Sequence, residues 1–193
     1  FKMNKFMNLI GVKARKASEI KIDTKIKNKV LNDYALLIDK EKKNILIQNK
    51  KDVNLAKKNK IKENLINRLN INPIKLKGIQ VSIKKIAKLK DPVNVTLEKW
   101  RRPNGLNIKR VSVPLGVIGV IYESRPNVTS DVVGLCFKSG NPVILKGGSE
   151  AINTNRILAN LFRKALKKNK VDENYIQFIN SKNRKMVDIM LSK

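Results

Sequence analysis

Residues 114–151 read PLGVIGVIYESRPNVTSDVVGLCFKSGNPVILKGGSEA. Val117 to Tyr122 is apolar at successive positions, so the strand it predicts must be covered on both faces, as a central strand of a parallel sheet is. Pro126 opens a helix that runs to about Ser139, and Gly140-Asn141 closes it. Pro142 to Leu145 is a second buried strand. Strand, helix and strand in so short a span make a βαβ unit. Lys146-Gly147-Gly148-Ser149-Glu150 then turns into a helix from Ala151 to about Lys168. Tyr175 to Ile179 predicts a third strand and Asn183 to Leu191 a further helix. The expected class is α/β, with part of an open parallel sheet whose alternation is still running at Lys193.

Upstream of this segment the period changes. Asn94 to Trp100 and Asn107 to Val113 alternate around Pro103-Asn104-Gly105, which predicts a β-hairpin. Residues 1–92 read as helices. Asp23 or Thr24 caps one that carries Ile26, Val30, Tyr34 and Ile38 at four-residue spacing. A break is expected near Asp39, and Asp52 is expected to cap a short helix through Lys58. Asn72-Pro73 starts another helix, with Leu76, Ile79, Ile83 and Ile86 on one face. The expected organisation is a helical part at 1–92, a hairpin at 93–113 and a βαβ part at 114–193.

Charge narrows the function classes. The chain has 193 residues, with 43 Lys+Arg against 15 Asp+Glu, a net charge of +28. Taken alone, this suggests a nucleic-acid or membrane-surface binder. However, 34 of the basic residues are Lys and only 9 are Arg, the better reader of phosphate and bases. Lys, Asn and Ile, whose codons are AT-rich, make up 81 of the 193 residues, so genomic drift explains most of the charge. Residues 111–150 carry 3 basic and 3 acidic residues, so the drift has spared the βαβ segment. Aromatic content of 5% argues against stacking on bases. No apolar run is long enough to cross a membrane and no secretory signal is visible. One cysteine and no histidine exclude a disulfide framework and most zinc or Cys-His schemes, which fits a cytoplasmic protein.

Two loops at strand ends can carry chemistry. Lys146-Gly147-Gly148-Ser149 joins a strand end to a helix start, where open α/β sheets bind ligands. The glycines let a ligand approach the backbone, the helix N-terminus offers free N–H groups to an anion, and Lys146 adds a cation. An ordinary βα turn is the alternative. Asn127 lies in the first turn of the preceding helix, where an amide donor can stabilise an oxyanion; simple capping is the alternative there. Cys136, placed with Val128, Val132 and Leu135 on one helix face, reads as a structural cysteine.

The run from Trp100 to Ala151, with its PNGL turn, PLGVIGVIYESRPNVT segment and ILKGGSEA segment, resembles the γ-glutamyl phosphate reductase (glutamate-5-semialdehyde dehydrogenase) family of the aldehyde dehydrogenase superfamily. Asp91-Pro92-Val93 and the early helices also resemble that family. The chain looks like its N-terminal half. The resemblance implies an aldehyde-dehydrogenase-like fold and NADPH-dependent reduction of γ-glutamyl phosphate to the semialdehyde in proline biosynthesis. It implies Asn127 as the oxyanion residue and Lys146, Gly147, Gly148 and Ser149 as cofactor-binding residues. The family's nucleophilic cysteine matches no residue of this chain, so the chain by itself is expected to be inactive. A homo-oligomer, with the hairpin as a contact, and a functional association with glutamate 5-kinase are also implied. The competing reading is a basic nucleic-acid-binding protein derived from a dehydrogenase half.

Overall fold

The computed structural model describes residues 2–192. Five helices come first: α1 (Lys2–Ser18), α2 (Thr24–Lys40), α3 (Lys42–Lys58), α4 (Glu63–Leu69) and α5 (Pro73–Lys88). An antiparallel hairpin follows, β1 (Thr96–Arg101) and β2 (Asn107–Val111), with Gly105 at φ +85° in its turn. Then come β3 (Ile118–Tyr122), α6 (Pro126–Lys138), β4 (Val143–Gly147), α7 (Ile152–Lys168), β5 (Ile176–Phe178) and α8 (Lys185–Leu191).

Local chemistry explains several boundaries. The Asp23 carboxylate accepts from the Lys25 N–H and starts α2. The Asn72 amide oxygen accepts from the Lys75 N–H at 2.7 Å, with Pro73 in the first turn of α5. Leu76, Ile79, Ile83 and Ile86 of α5 are all buried. Val30, Tyr34 and Ile38 of α2 are buried too, whereas Ile26 is 40% exposed and its neighbour Lys27 takes the buried position in that turn.

β3, β4 and β5 form a parallel sheet in the order β3-β4-β5. The apolar run of β3 therefore does not make it central. It pairs with β4 alone among the described residues, and Ile121 is 42% exposed. β4 is the central strand, with all five residues buried. An apolar run reports covered faces; it does not count strand neighbours.

The two faces of β4 pack on different partners. Val143 and Leu145 join a core shared by α2, α5, α6 and α7. Edge-on aromatics run through that core: Tyr34–Phe162 at 4.8 Å, Phe137–Phe162 at 5.5 Å and Phe137–Tyr175 at 5.4 Å between centroids. Ile144 faces the other way, against Met7, Ile10 and Ala14 of α1 and Met186 of α8. Lysines mostly coat the surface, but Lys27 and Lys138 are buried where α2, α5 and α6 meet. Lys27 pairs with Asp91 at 2.8 Å, and Lys138 donates to Asn28 Oδ1 and to the Ala87 carbonyl at 3.0 Å.

Three local expectations change. The break near Asp39 falls at Glu41, since α2 runs through Lys40. Asp52 does not cap a short helix: it is a buried residue within the continuous α3. Cys136 is buried beside Val133 and Phe137, whereas Leu135, one residue away, is 50% exposed. The buried face of α6 thus runs through Thr129, Val133 and Cys136 rather than through Val128, Val132 and Leu135, because α6 is covered from the α5 and α7 sides.

Candidate functional site

Tyr122 of β3 and Gly147 of β4 are the last paired residues of their strands, so the two following loops leave the sheet side by side. They are tied together directly: the Ser124 hydroxyl donates to Glu150 Oε1 at 2.6 Å. Sequence reasoning did not assign either residue a role, because the bond joins two loops with no shared local pattern.

Lys146 lies within β4 and is 5% exposed. Its Nζ donates to the Gly147 carbonyl at 2.9 Å. Burial pulls its pKa below the usual lysine value, and the nearby Glu150 charge offsets part of that. Gly147 is hemmed in: a Cβ there would land on the Asn155 amide and stand 3.1 Å from the Tyr122 ring. Gly148 is partly open, and a Cβ there would meet only the Glu150 carboxylate. Ser149 is exposed. Close approach to the backbone at Gly148 therefore requires the Glu150 carboxylate to move aside, next to the exposed Ser149 hydroxyl and above the buried Lys146 cation.

The N-terminus of α7 is not open to a ligand. Asp52, reaching from α3, accepts from the backbone N–H groups of Asn153 at 3.3 Å and Thr154 at 2.8 Å, and from the Thr154 hydroxyl at 2.7 Å. The expectation of free helix N–H groups is corrected by this: a built-in carboxylate already takes the place an anion would occupy. Anion binding at this loop must rest on Lys146, Ser149 and the turn Ser149–Ala151.

Behind the loop lies a buried polar chain. The Tyr122 hydroxyl is 2.6 Å from Thr129 Oγ1, which donates to Asn155 Oδ1 at 3.0 Å. Burial pushes the Tyr122 phenol up to about 12, with the Thr129 bond working against the rise. Among the described residues, Asn155 Nδ2 has no hydrogen-bond partner.

Asn127 is the second residue of α6 and is exposed. It does not meet Lys146 or Ser149. It lines a separate cavity of about 390 Å³ between α5 and the start of α6, with Arg68, Lys75, Ser82 and Asp131. Its amide lies 3.5 Å from Asp131 Oδ2. Among the described residues, no three His, Cys, Asp or Glu gather as a metal site would need, and no helix is long and apolar enough to cross a membrane.

No protein-family model matches the chain. Individual proteins do. The chain is 43% identical over 187 residues to the γ-glutamyl phosphate reductase of Caldanaerobacter subterraneus subsp. tengcongensis, covering 94% of this chain and 45% of that protein. The crystal structure of γ-glutamyl phosphate reductase from Thermotoga maritima superposes with a TM-score of 0.93 at 37% identity, over 96% of this chain and 45% of that one. A propionaldehyde dehydrogenase from Clostridium phytofermentans shares the fold alone, with a TM-score of 0.67 at 16% identity over 96% of this chain and 40% of that one. The chain thus has an aldehyde-dehydrogenase-like α/β fold. The resemblance read at residues 100–151 extends over almost its whole length and corresponds to the N-terminal half of these reductases. The chain spans less than half the length of the relatives it matches.

Proposed function

We propose that this chain is the cofactor-binding part of a γ-glutamyl phosphate reductase, which reduces γ-glutamyl phosphate to glutamate-5-semialdehyde with release of phosphate, in the cytoplasm and in proline biosynthesis. The observation that carries the reading is the 43% identity over 94% of the chain. The layout of the two strand-end loops supports it.

The cofactor is NADPH, which supplies the hydride. It approaches the backbone at Gly148 once Glu150 moves aside, and Gly147 lets Asn155 and Tyr122 pack close behind the loop. Lys146 and Ser149 face its adenosine ribose and 2′-phosphate. A serine at 149 donates to a phosphate where a carboxylate would repel it, which favours NADPH over NADH. Asn127 holds the developing oxyanion.

Cys136 takes no part in the chemistry. Its thiol is buried, burial pushes it up to about 11, and the chain has no histidine to activate it. Residues 1–193 alone therefore bind cofactor without turning over substrate. The part 114–193 serves cofactor binding, 1–92 supports it, and the hairpin 93–113 serves assembly. A homo-oligomer and a functional association with glutamate 5-kinase belong to this reading, and nucleic acid is no specific partner.

A fluorescence titration of the purified chain tests it. NADPH should bind more tightly than NADH. Ser149→Glu should weaken NADPH by about tenfold or more while sparing NADH. Equal affinity for both cofactors, unchanged by Ser149→Glu, would remove the assignment of this loop.

A further inference from the structure

We infer that the cavity between α5 and the start of α6 is a subsite for the zwitterionic end of an α-amino acid, with Asp131 receiving the ammonium group and Arg68 and Lys75 the carboxylate. The inference rests on the reductase reading and names where the non-reacting end of its substrate sits.

The cavity, about 390 Å³, is within the size range of small-ligand sites, roughly 300–1,000 Å³. It holds charges of both signs that the protein leaves unpaired. Among the described residues, none of Arg68, Lys75 and Asp131 takes part in an ion pair. Asp131 is held by neutral donors only, the Ser82 hydroxyl at 2.8 Å and the Asn127 amide at 3.5 Å. Each of its oxygens keeps acceptor capacity for an ammonium group. Lys75 is fixed rather than free to swing: its Nζ donates to the carbonyls of Asn67 at 2.9 Å and Asn70 at 2.8 Å, which leaves one N–H for a ligand.

Asn127 connects this subsite to the chemistry. The amide proposed for the oxyanion opens into the same cavity, so a ligand reaching from Asn127 toward Arg68 and Lys75 has its reacting carbonyl at one end and its amino-acid group at the other. Gly78 lines the cavity from α5, and a Cβ there would meet nothing within 4 Å. A side chain at 78 therefore has space to extend along the cavity.

The test is calorimetric titration of the chain 1–193 with L-glutamate, glutarate, which lacks the amino group, and 4-aminobutyrate, which lacks the α-carboxylate. L-Glutamate should bind, and each analogue should bind at least about tenfold more weakly, the loss of one charge-assisted hydrogen-bonded group. Gly78→Leu should occupy the cavity and abolish L-glutamate binding while leaving NADPH affinity unchanged and not lowering Tm. Glutarate binding as well as L-glutamate, or L-glutamate binding undiminished in Gly78→Leu, overturns the subsite. So does failure of L-glutamate to bind a chain that binds NADPH. L-Glutamate binding with this selectivity to a chain that does not bind NADPH would keep the subsite and sink the reductase reading.

Discussion

The Ser124 hydroxyl donates to the Glu150 carboxylate at 2.6 Å and so joins the loop after β3 to the loop after β4. The bridge holds a carboxylate over Gly148, and the two neighbouring glycines differ sharply in what surrounds them.

A Cβ at Gly147 would strike the fully buried Asn155 amide and press on the half-buried Tyr122 ring. Gly147→Ala should cost roughly 1–3 kcal/mol of stability. The atoms nearest a Cβ at Gly148 all belong to the Glu150 carboxylate, the far end of a flexible side chain. Gly148→Ala should be nearly neutral in stability, yet displace Glu150 and speed amide exchange in residues 123–125 and 148–151. Urea unfolding and hydrogen exchange check the contrast, and equal costs at the two positions would contradict it.

Asp52 is a buried carboxylate whose donors all come from the start of α7, Asn153 and Thr154. Asp52→Ala leaves the Thr154 N–H without its acceptor inside the protein, and should destabilise the chain by about 3–5 kcal/mol. Asp52→Asn keeps an acceptor and should cost less. Thermal unfolding of both variants measures the difference.

Asp52 also marks where sequence reading stops. Helix α5 is legible from Asn72-Pro73 and the spacing of Leu76, Ile79, Ile83 and Ile86, because those signals are local. The hairpin is legible from Pro103-Asn104-Gly105, and the βαβ unit from its change of period. The partner of Asp52 lies 101 residues away, and no pattern around position 52 points to it. The same holds for the edge position of β3, which depends on which strands lie beside it, and for the burial of Lys146, which depends on its covering helices. Helix α4 escaped because its 7 residues are too few for a period to show. The two strand-end loops were legible as neighbours at the end of the sheet, but the Asp52 plug at the start of α7 was not.

The Lys27–Asp91 and Lys168–Asp33 pairs make stability fall in acid. For both aspartates burial alone would raise the pKa, but hydrogen bonds and the lysine charges outweigh it, so each lies below 3.8 in the folded chain. A folded pKa below the unfolded one gives stability that is complete above the unfolded value and is lost as pH falls through the folded one. The urea midpoint should therefore start to drop as pH falls below about 5 and keep dropping through the lowered folded values, and Asp91→Asn should flatten that drop. Lys138, packed beside the pair, has its pKa lowered mainly by burial, so its own contribution lies at alkaline pH and leaves the acid limb intact. An unchanged acid limb in Asp91→Asn would rule this pair out as its source.

Cys136 is 9% exposed and burial pushes its thiol up to about 11. A neutral, covered thiol is a poor nucleophile. The native chain should resist a thiol reagent at about pH 8 and react at once in denaturant. Fast native labelling would mean that α6 opens locally.

The hairpin exposes apolar side chains that a solvated ribbon does not need. Leu97 is 54% exposed, Trp100 41% and Val111 40%. A two-stranded ribbon is marginal in water, and its free edges can pair with another strand. Covering by a second copy would bury this surface. Trp100 is the chain's single tryptophan, so its emission reports on that event alone. As concentration rises, the emission should shift to the blue while the mass in solution climbs above 22.0 kDa. Trp100→Lys should keep the helical circular dichroism signal and hold the chain at the monomer mass. A wild-type chain that stays at 22.0 kDa with red-shifted emission at every concentration would show that the hairpin is not a contact between copies.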